Sequence, residues 1–203
     1  MHLPTLFTLL FLTLTSSSLA DTQIPIMNRL SPLTDGPHIN SGLPSLADLL
    51  TIQPRTSIYY SYARETDLNE MLSQKGGFIT AFVPTNKAVM QLARKPHQGP
   101  APVDEGIKIT EAQFDKESKD NVRQWVSAHL VPGEVGYPSA DETVHLETLL
   151  PSKSISMRWA FPSESGKKWT GMEVEGSSRI VDMHKGSNGV LYIIDGTIEV
   201  PEQ

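Results

Sequence analysis

Apolar residues recur along this chain with two periods, and the change from one to the other divides it. Between Ser45 and Leu130 they fall at helical spacing, whereas from Val144 onward they alternate with polar residues as in a half-buried strand. Ser45 followed by Asp48 is a capping-box-like start for a helix carrying Leu46, Leu49 and Leu50, which Pro54 stops. Thr56 or Ser57 can cap a second helix with Ile58, Tyr59 and Tyr62 on one face. Asp67 can cap a third, carrying Leu68, Met71 and Leu72, before Gly76-Gly77 ends it. Residues 78–83 then read as a strand. Pro84 breaks it, and Thr85-Asn86 opens a fourth helix with Ala88, Val89 and Leu92 facing inward. The longest helical pattern spans residues 111–130, with Phe114, Val122, Trp125, Val126, His129 and Leu130 at or near the spacing of one face.

In the later half, Ile155, Met157, Trp159 and Phe161 alternate against Ser156, Arg158 and Ala160. Residues 162–168 are turn material, and 169–175 predict a returning strand that would let Trp159 and Trp169 pair across a hairpin. Ser187-Asn188-Gly189 predicts a tight turn between strands at 179–184 and 190–194, because Asn-Gly accepts positive φ at both central positions. The run Val190-Leu191-Tyr192-Ile193-Ile194 is apolar on both faces. It is therefore expected centrally, with helices on one side and other strands on the other. Helices first and strands later is an α+β order, not βαβ.

Composition narrows the chemistry. The 203 residues are 38% hydrophobic and 20% charged, which suits one globular domain. Lys+Arg number 17 against 23 Asp+Glu, a formal charge of -6, so nothing attracts a polyanion and nucleic acid is excluded as an expected partner. With 0 Cys there is no disulfide, Cys-ligated zinc, iron–sulfur cluster or thiol nucleophile, and no cofactor is implied. Residues 1–20 read as a secretory signal: an apolar run at 6–14, then Ser18-Leu19-Ala20 with small residues where a signal peptidase cuts. Residues 21–44 form an extended Pro-rich arm, with Pro25, Pro32, Pro37 and Pro44 beside Gly36 and Gly42, and residues 45–201 form the domain. Residues 94–109, with Pro96, Gly99, Pro100 and Pro102, predict a surface loop between helices. No transmembrane segment or lipid anchor is expected, since no later stretch is apolar enough and Val200-Pro201-Glu202-Gln203 is not a hydrophobic tail. No Asn-x-Ser/Thr sequon occurs.

Four segments together resemble the fasciclin domain family. Phe78-Ile79-Thr80-Ala81-Phe82-Val83-Pro84-Thr85-Asn86-Lys87-Ala88 resembles its first signature block, and Asn188-Gly189-Val190-Leu191-Tyr192-Ile193-Ile194-Asp195 its second. Between them, Ala128-His129-Leu130-Val131-Pro132-Gly133 is similar to the family's Tyr-His segment before Val-Pro-Gly, and Leu146-Glu147-Thr148-Leu149-Leu150 to the Leu-Thr-x-Leu element that follows. The resemblance covers residues 45–201. It implies a β-rich wedge or sandwich with N-terminal helices packed over the sheet, and a non-catalytic adhesion or interaction module binding a protein or a wall or matrix component. It also places partner contact in the Tyr-His region, here His129, Leu130 and Val131; Ala128 stands where the family has tyrosine, and Tyr192 where the second block has histidine. A single such domain behind a signal peptide is similar to fungal proteins that are secreted or held in the vacuole lumen.

The individual residues each carry a bland and a sharp reading. Pro84, Thr85 and Asn86 read as a strand stop with a helix cap, Asn188 and Gly189 as a turn, and Asp195 as a turn cap or acceptor of backbone N–H groups. His129 reads as a buried histidine bonded to backbone. The alternative is a lumenal enzyme or small-ligand carrier with a pocket near it. No G-x-S-x-G elbow accompanies the Ser, His and Asp residues, and His129, His145, Asp182 and His184 lack the spacing of a metal motif, so no catalytic or metal residue is assigned. Tyr59, Tyr60 and Tyr62 offer either an aromatic contact surface or two core rings with Tyr60 exposed. Arg94-Lys95 and Lys167-Lys168 read as loop solvation.

Overall fold

The computed structural model describes residues 42–74, 77–99, 110–163 and 166–201; the expected signal segment, the arm up to residue 41 and loop residues 100–109 lie outside them. Among these residues five α-helices and seven strands follow in the order α1 (Leu46–Ile52), α2 (Ser57–Arg64), α3 (Leu68–Ser73), β1 (Ile79–Pro84), α4 (Asn86–Gln91), α5 (Glu111–Ala128), β2 (Leu130–Pro132), β3 (Thr143–Glu147), β4 (Ser154–Trp159), β5 (Met172–Val174), β6 (Ser178–Gly186) and β7 (Gly189–Ile194). The strands make one 7-stranded sheet in the order β2-β1-β7-β6-β5-β4-β3. The β1–β7 pair is parallel and the others are antiparallel. Leu149 N–H donates to the Leu130 carbonyl (2.8 Å), which draws the two ends of the sheet toward each other. The fold is α+β, with helices over a strongly curved sheet.

Strand β7 is buried at every position, and its alternation splits the core. Leu191 and Ile193 face a cluster built by the helices around Leu46, Leu50, Tyr59, Leu72 and Trp125. Val190, Tyr192 and Ile194 face an inner cluster with Phe82, Ile155, Met157, Met172 and Val174. An expected central strand lies between helices and strands because both of its faces have apolar surface to bury.

Several boundaries differ from expectation for local reasons. The long helix ends at Ala128, because residues from Leu130 onward pair with β1, Leu130 opposite Ala81. Phe114 is 52% exposed, since α5 meets the core only from Val122 onward. Trp169 lies in a 3-10 turn, Lys168–Gly171, and the returning strand starts at Met172, which takes the place opposite Trp159 expected for Trp169. Trp159 packs instead over Gly171, where any Cβ would meet its ring. Phe161 lies outside β4, under the Arg179 guanidinium at 3.8 Å. Asp67 makes no side-chain cap on α3. Its carboxylate accepts from Arg123 at 2.9 and 3.1 Å, which holds it below the usual carboxylate range.

Candidate functional site

His129, Leu130 and Val131, expected to meet a partner, are interior residues with relative exposures of 0%, 0% and 4%. His129 closes α5, where the helix leaves backbone carbonyls without intrahelical partners. Its Nδ1–H donates to the Trp125 carbonyl at 2.7 Å, and its Nε2 accepts from the Ile198 N–H at 3.2 Å. The Trp125 and Tyr59 rings lie 4.7 and 5.5 Å from it. Burial pushes the imidazole down from 6.5 to about 4; the Trp125 carbonyl opposes that shift and the Lys153 charge adds to it. A ring that is neutral near pH 7 with both nitrogens engaged has no lone pair for a substrate proton or a metal. A cleft of about 770 Å³ does lie beside it, lined by Trp125, Ile198, Leu92, Val200, Arg94 and Lys153 among others, but the imidazole is not part of its wall.

The Pro84-Thr85-Asn86 elbow divides its labour. Thr85 Oγ1 accepts from Ala88 N–H (3.3 Å) and caps α4, while Thr85 N–H donates to the Ile194 carbonyl (2.9 Å). Asn86 serves another helix: its Oδ1 accepts from Ile58 N–H (2.9 Å), and its Nδ2 donates to the Pro54 carbonyl (2.9 Å) and Ser57 Oγ (3.1 Å). The cap expected from Thr56 or Ser57 is thus supplied by Asn86, and Thr56 Oγ1 turns back to the Gln53 carbonyl.

Asn188 and Gly189 are not a pair of positive-φ turn residues. Gly186 and Gly189 pair, leaving Ser187 and Asn188 as the connection, and Glu175 (φ 53) is the one described non-glycine residue with positive φ. Gly189 is needed because a Cβ there would overlap the Ile79 carbonyl oxygen and approach Leu46 Cδ1 at 2.8 Å. Asn188 is 2% exposed. Its Oδ1 accepts from Leu46 N–H (2.8 Å), and its Nδ2 donates to the carbonyls of Leu72 (2.9 Å) and Met71 (3.2 Å). One side chain therefore joins the start of α1 to the end of α3. Asp195 Oδ1 accepts from Arg179 N–H (2.7 Å), and Asp195 N–H returns a bond to the Arg179 carbonyl (3.1 Å). Ala128, in the family's tyrosine position, is fully buried. Tyr192 stacks on Phe82 (5.4 Å) and donates to the Tyr137 hydroxyl (3.2 Å), and burial raises its phenol's pKa.

The remaining polar candidates disperse. His184 Nε2 lies 3.3 Å from Asp182 Oδ2 and 2.9 Å from Gln53 Nε2, whereas His145 is exposed on β3 and His129 is sealed. Among the described residues no group of 3 His, Asp or Glu side chains could hold a metal ion. Tyr59 is core, Tyr62 meets His97 Nδ1 (3.2 Å), and half-buried Tyr60 carries Arg64 5.1 Å over its ring. Arg94 and Lys95 are fasteners: Lys95 Nζ donates to the carbonyls of Met90 (3.0 Å) and Leu92 (3.2 Å) at the end of α4, and Arg94 to those of Gly99 and Gln98. The Lys167 ammonium sits 5.6 Å over Trp169. Sequence reasoning missed the long-range use of Asn86 and Asn188. The signal available was an asparagine within each family-like block, whose side chain can accept and donate at once.

Comparison with known proteins supplies the lineage. The model of the Fasciclin domain family matches residues 54–201. A FAS1 domain-containing protein of Saccharomyces cerevisiae is 29% identical over 171 residues, covering 77% of this chain and 63% of that protein. One from Eremothecium gossypii is 25% identical over 167 residues (79% and 66%), and one from Candida glabrata 27% over 165 (75% and 64%). The chain thus spans a little under two thirds of the length of these relatives. A solved FAS1 domain pair from the insect cell adhesion molecule Fasciclin I aligns with a TM-score of 0.52 and 17% identity, covering 77% of this chain and 51% of that one, a likeness of fold.

Proposed function

The chain belongs to the fasciclin family, and on that footing we propose that it is a non-catalytic contact module of the secretory route, secreted or held in a vacuole lumen, that binds another protein or a wall or matrix component. The observation that carries this reading is where the signature polar groups spend their hydrogen bonds. His129, Asn86, Asn188 and Asp195 each bond backbone of their own domain, so the chemistry that marks the chain builds the scaffold and leaves contact to the surface. The apolar run at residues 6–14 and Ser18-Leu19-Ala20 support export as a cleaved signal. Among the described residues no helix is long and apolar enough to cross a membrane. The cleft beside His129 favours a second reading, a carrier of a small ligand held against Trp125 and Ile198.

Expression of the full chain in a yeast tests both. The contact reading expects an N-terminus at Asp21 after cleavage and saturable cosedimentation of the purified product with isolated cell walls or with immobilised secreted proteins. An uncleaved product that sediments with neither would sink it. Quenching of tryptophan fluorescence by a small-molecule extract, without wall or protein binding, would favour the carrier.

A further inference from the structure

We propose that the cleft between the end of α4, the Asn121–Trp125 face of α5 and residues 198–201 is a binding site for an apolar monocarboxylic acid, its carboxylate toward Arg94 and Asn121 and its apolar body against Leu92, Ile198 and Val200. The proposal rests on the carrier reading and names the ligand class for it. The walls are fixed from within. His129 Nε2 accepts from Ile198 N–H (3.2 Å), which holds the C-terminal segment, and Lys95 Nζ ties the end of α4 to the Pro96–Gln98 turn. The cleft encloses about 770 Å³, within the roughly 300–1,000 Å³ of small-molecule sites.

Donors are what these walls leave unused. Arg94 spends Nε on the Gly99 carbonyl (2.8 Å) and Nη2 on that of Gln98 (3.0 Å), so its guanidinium is held in place while Nη1 has no acceptor among the described residues. The Asn121 amide lies over Gly99, where a Cβ would strike it, and makes no hydrogen bond among the described residues. Trp125 follows one turn along the same face of α5. It is 5% exposed, and its indole N–H has no acceptor among the described residues, yet is not one of the sealed polar atoms. A carboxylate, which only accepts, suits such a set. Charge agrees with it. Lys95 Nζ gives its protons to the carbonyls of Val89, Met90 and Leu92, and no described carboxylate pairs with it, whereas Lys153 is matched by Glu175 at 2.6 Å. Against Arg94 and Lys95 stands one lining carboxylate, the exposed Glu199. In a chain of formal charge -6 this wall is locally positive. Leu92, Pro96, Ile198, Val200 and Pro201 make the remainder apolar, which calls for an apolar body on the acid.

The test follows the Trp125 indole N–H resonance of the full chain during titration with decanoate, and with decanol as the same body without charge. Decanoate is expected to shift that resonance saturably and to bind about ten-fold more tightly than decanol, with affinity falling as salt rises. Arg94→Met should lose on the order of ten-fold for decanoate and little for decanol, and Arg94→Lys should recover part of that loss. Should the Pro96–Gln98 turn fail to form without Arg94, Glu199→Gln serves instead, since Glu199 makes no hydrogen bond or ion pair among the described residues; it should tighten decanoate about two-fold and leave decanol unchanged. Equal affinity for the two probes, a response at Trp159 or Trp169 in place of Trp125, or indifference to every variant overturns the proposal. So does a leucine-terminated peptide that binds more tightly than decanoate, which would make the carboxylate that of a partner's chain end. If decanol shifts Trp125 and decanoate does not, the ligand class is wrong and the carrier reading stands. If neither probe nor a small-molecule extract perturbs Trp125, the carrier reading falls with the proposal.

Discussion

At the centre of the sheet and at its rim the same chain treats polar side chains in opposite ways. Around β1 and β7, Asn86 and Asn188 reach across the sequence to satisfy the ends of α1, α2 and α3, and at 2% exposure Asn188 has no contact to spare for anything outside. On β3 the polar positions Thr143, His145 and Glu147 face solvent. The difference separates two tasks: the family-like blocks solve a folding problem, and the polar side chains of the rim take no part in it.

The centre should be brittle, and Gly189 is its most demanding point. Gly189→Ala places a methyl into the Ile79 carbonyl oxygen, which β1 cannot move without breaking its parallel register with β7. We expect a loss of more than about 3 kcal/mol in chemical denaturation, or no folded product. A loss under about 1 kcal/mol would show that the centre yields and would erase the contrast.

Next in size is an acid response at His129. Its folded value is about 4 against an ordinary 6.5, so between those values the unfolded chain takes up a proton that the folded chain refuses. Its stabilising effect is complete above pH 6.5 and is lost as pH falls toward 4, by roughly 3 kcal/mol at about 1.4 kcal/mol per unit. Denaturation midpoints measured from neutral to mildly acid pH should show that slope, and His129→Gln should flatten it while lowering stability at neutrality. An unchanged slope in the variant would mean that the imidazole is wetter than its two backbone bonds imply.

How much of this was readable beforehand follows from the range of each interaction. The Ser45–Asp48 capping box lies within one turn and was legible, as was the burial of β7, whose apolar faces need cover on both sides. Asn86 was legible as a cap but not as the cap of α2, because its partner Ile58 lies 28 residues away, and Asn188 reaches 142 residues back to Leu46. Periodicity put Phe114 on the Trp125 face of α5 but could not tell that the buried positions of that helix begin only at Val122. Leu130 fits a helix face and a strand equally, and only its pairing with Ala81 decided between them. For the candidate site, the buried, backbone-bonded His129 was legible from its apolar neighbours. The approach of the two end strands, which brings Leu149 against Leu130, was not, since strand order is a property of the whole fold.

The elbow sharpens the comparison at intermediate size, because its two neighbouring caps serve different helices. Asn86→Ala should cost about 2 kcal/mol and speed exchange of the Ile58 amide in α2, whereas Thr85→Ala should cost about 1 kcal/mol and speed that of Ala88 in α4. Equal effects on both amides from either change would mean that the two helices open together.

The smallest effect belongs to the rim. Glu147 stands opposite Ser154 on β4, is exposed, and among the described residues has no ion-pair partner, so Glu147→Ala removes no internal bond. What it changes is strand preference, which alanine lowers modestly. The expected change in denaturation is within about 0.5 kcal/mol of zero, in either direction. A destabilisation as large as that of Asn86→Ala would show that Glu147 holds the fold together after all, and the division between a self-satisfied centre and an outward-facing rim would fail at the residue where it is drawn most sharply.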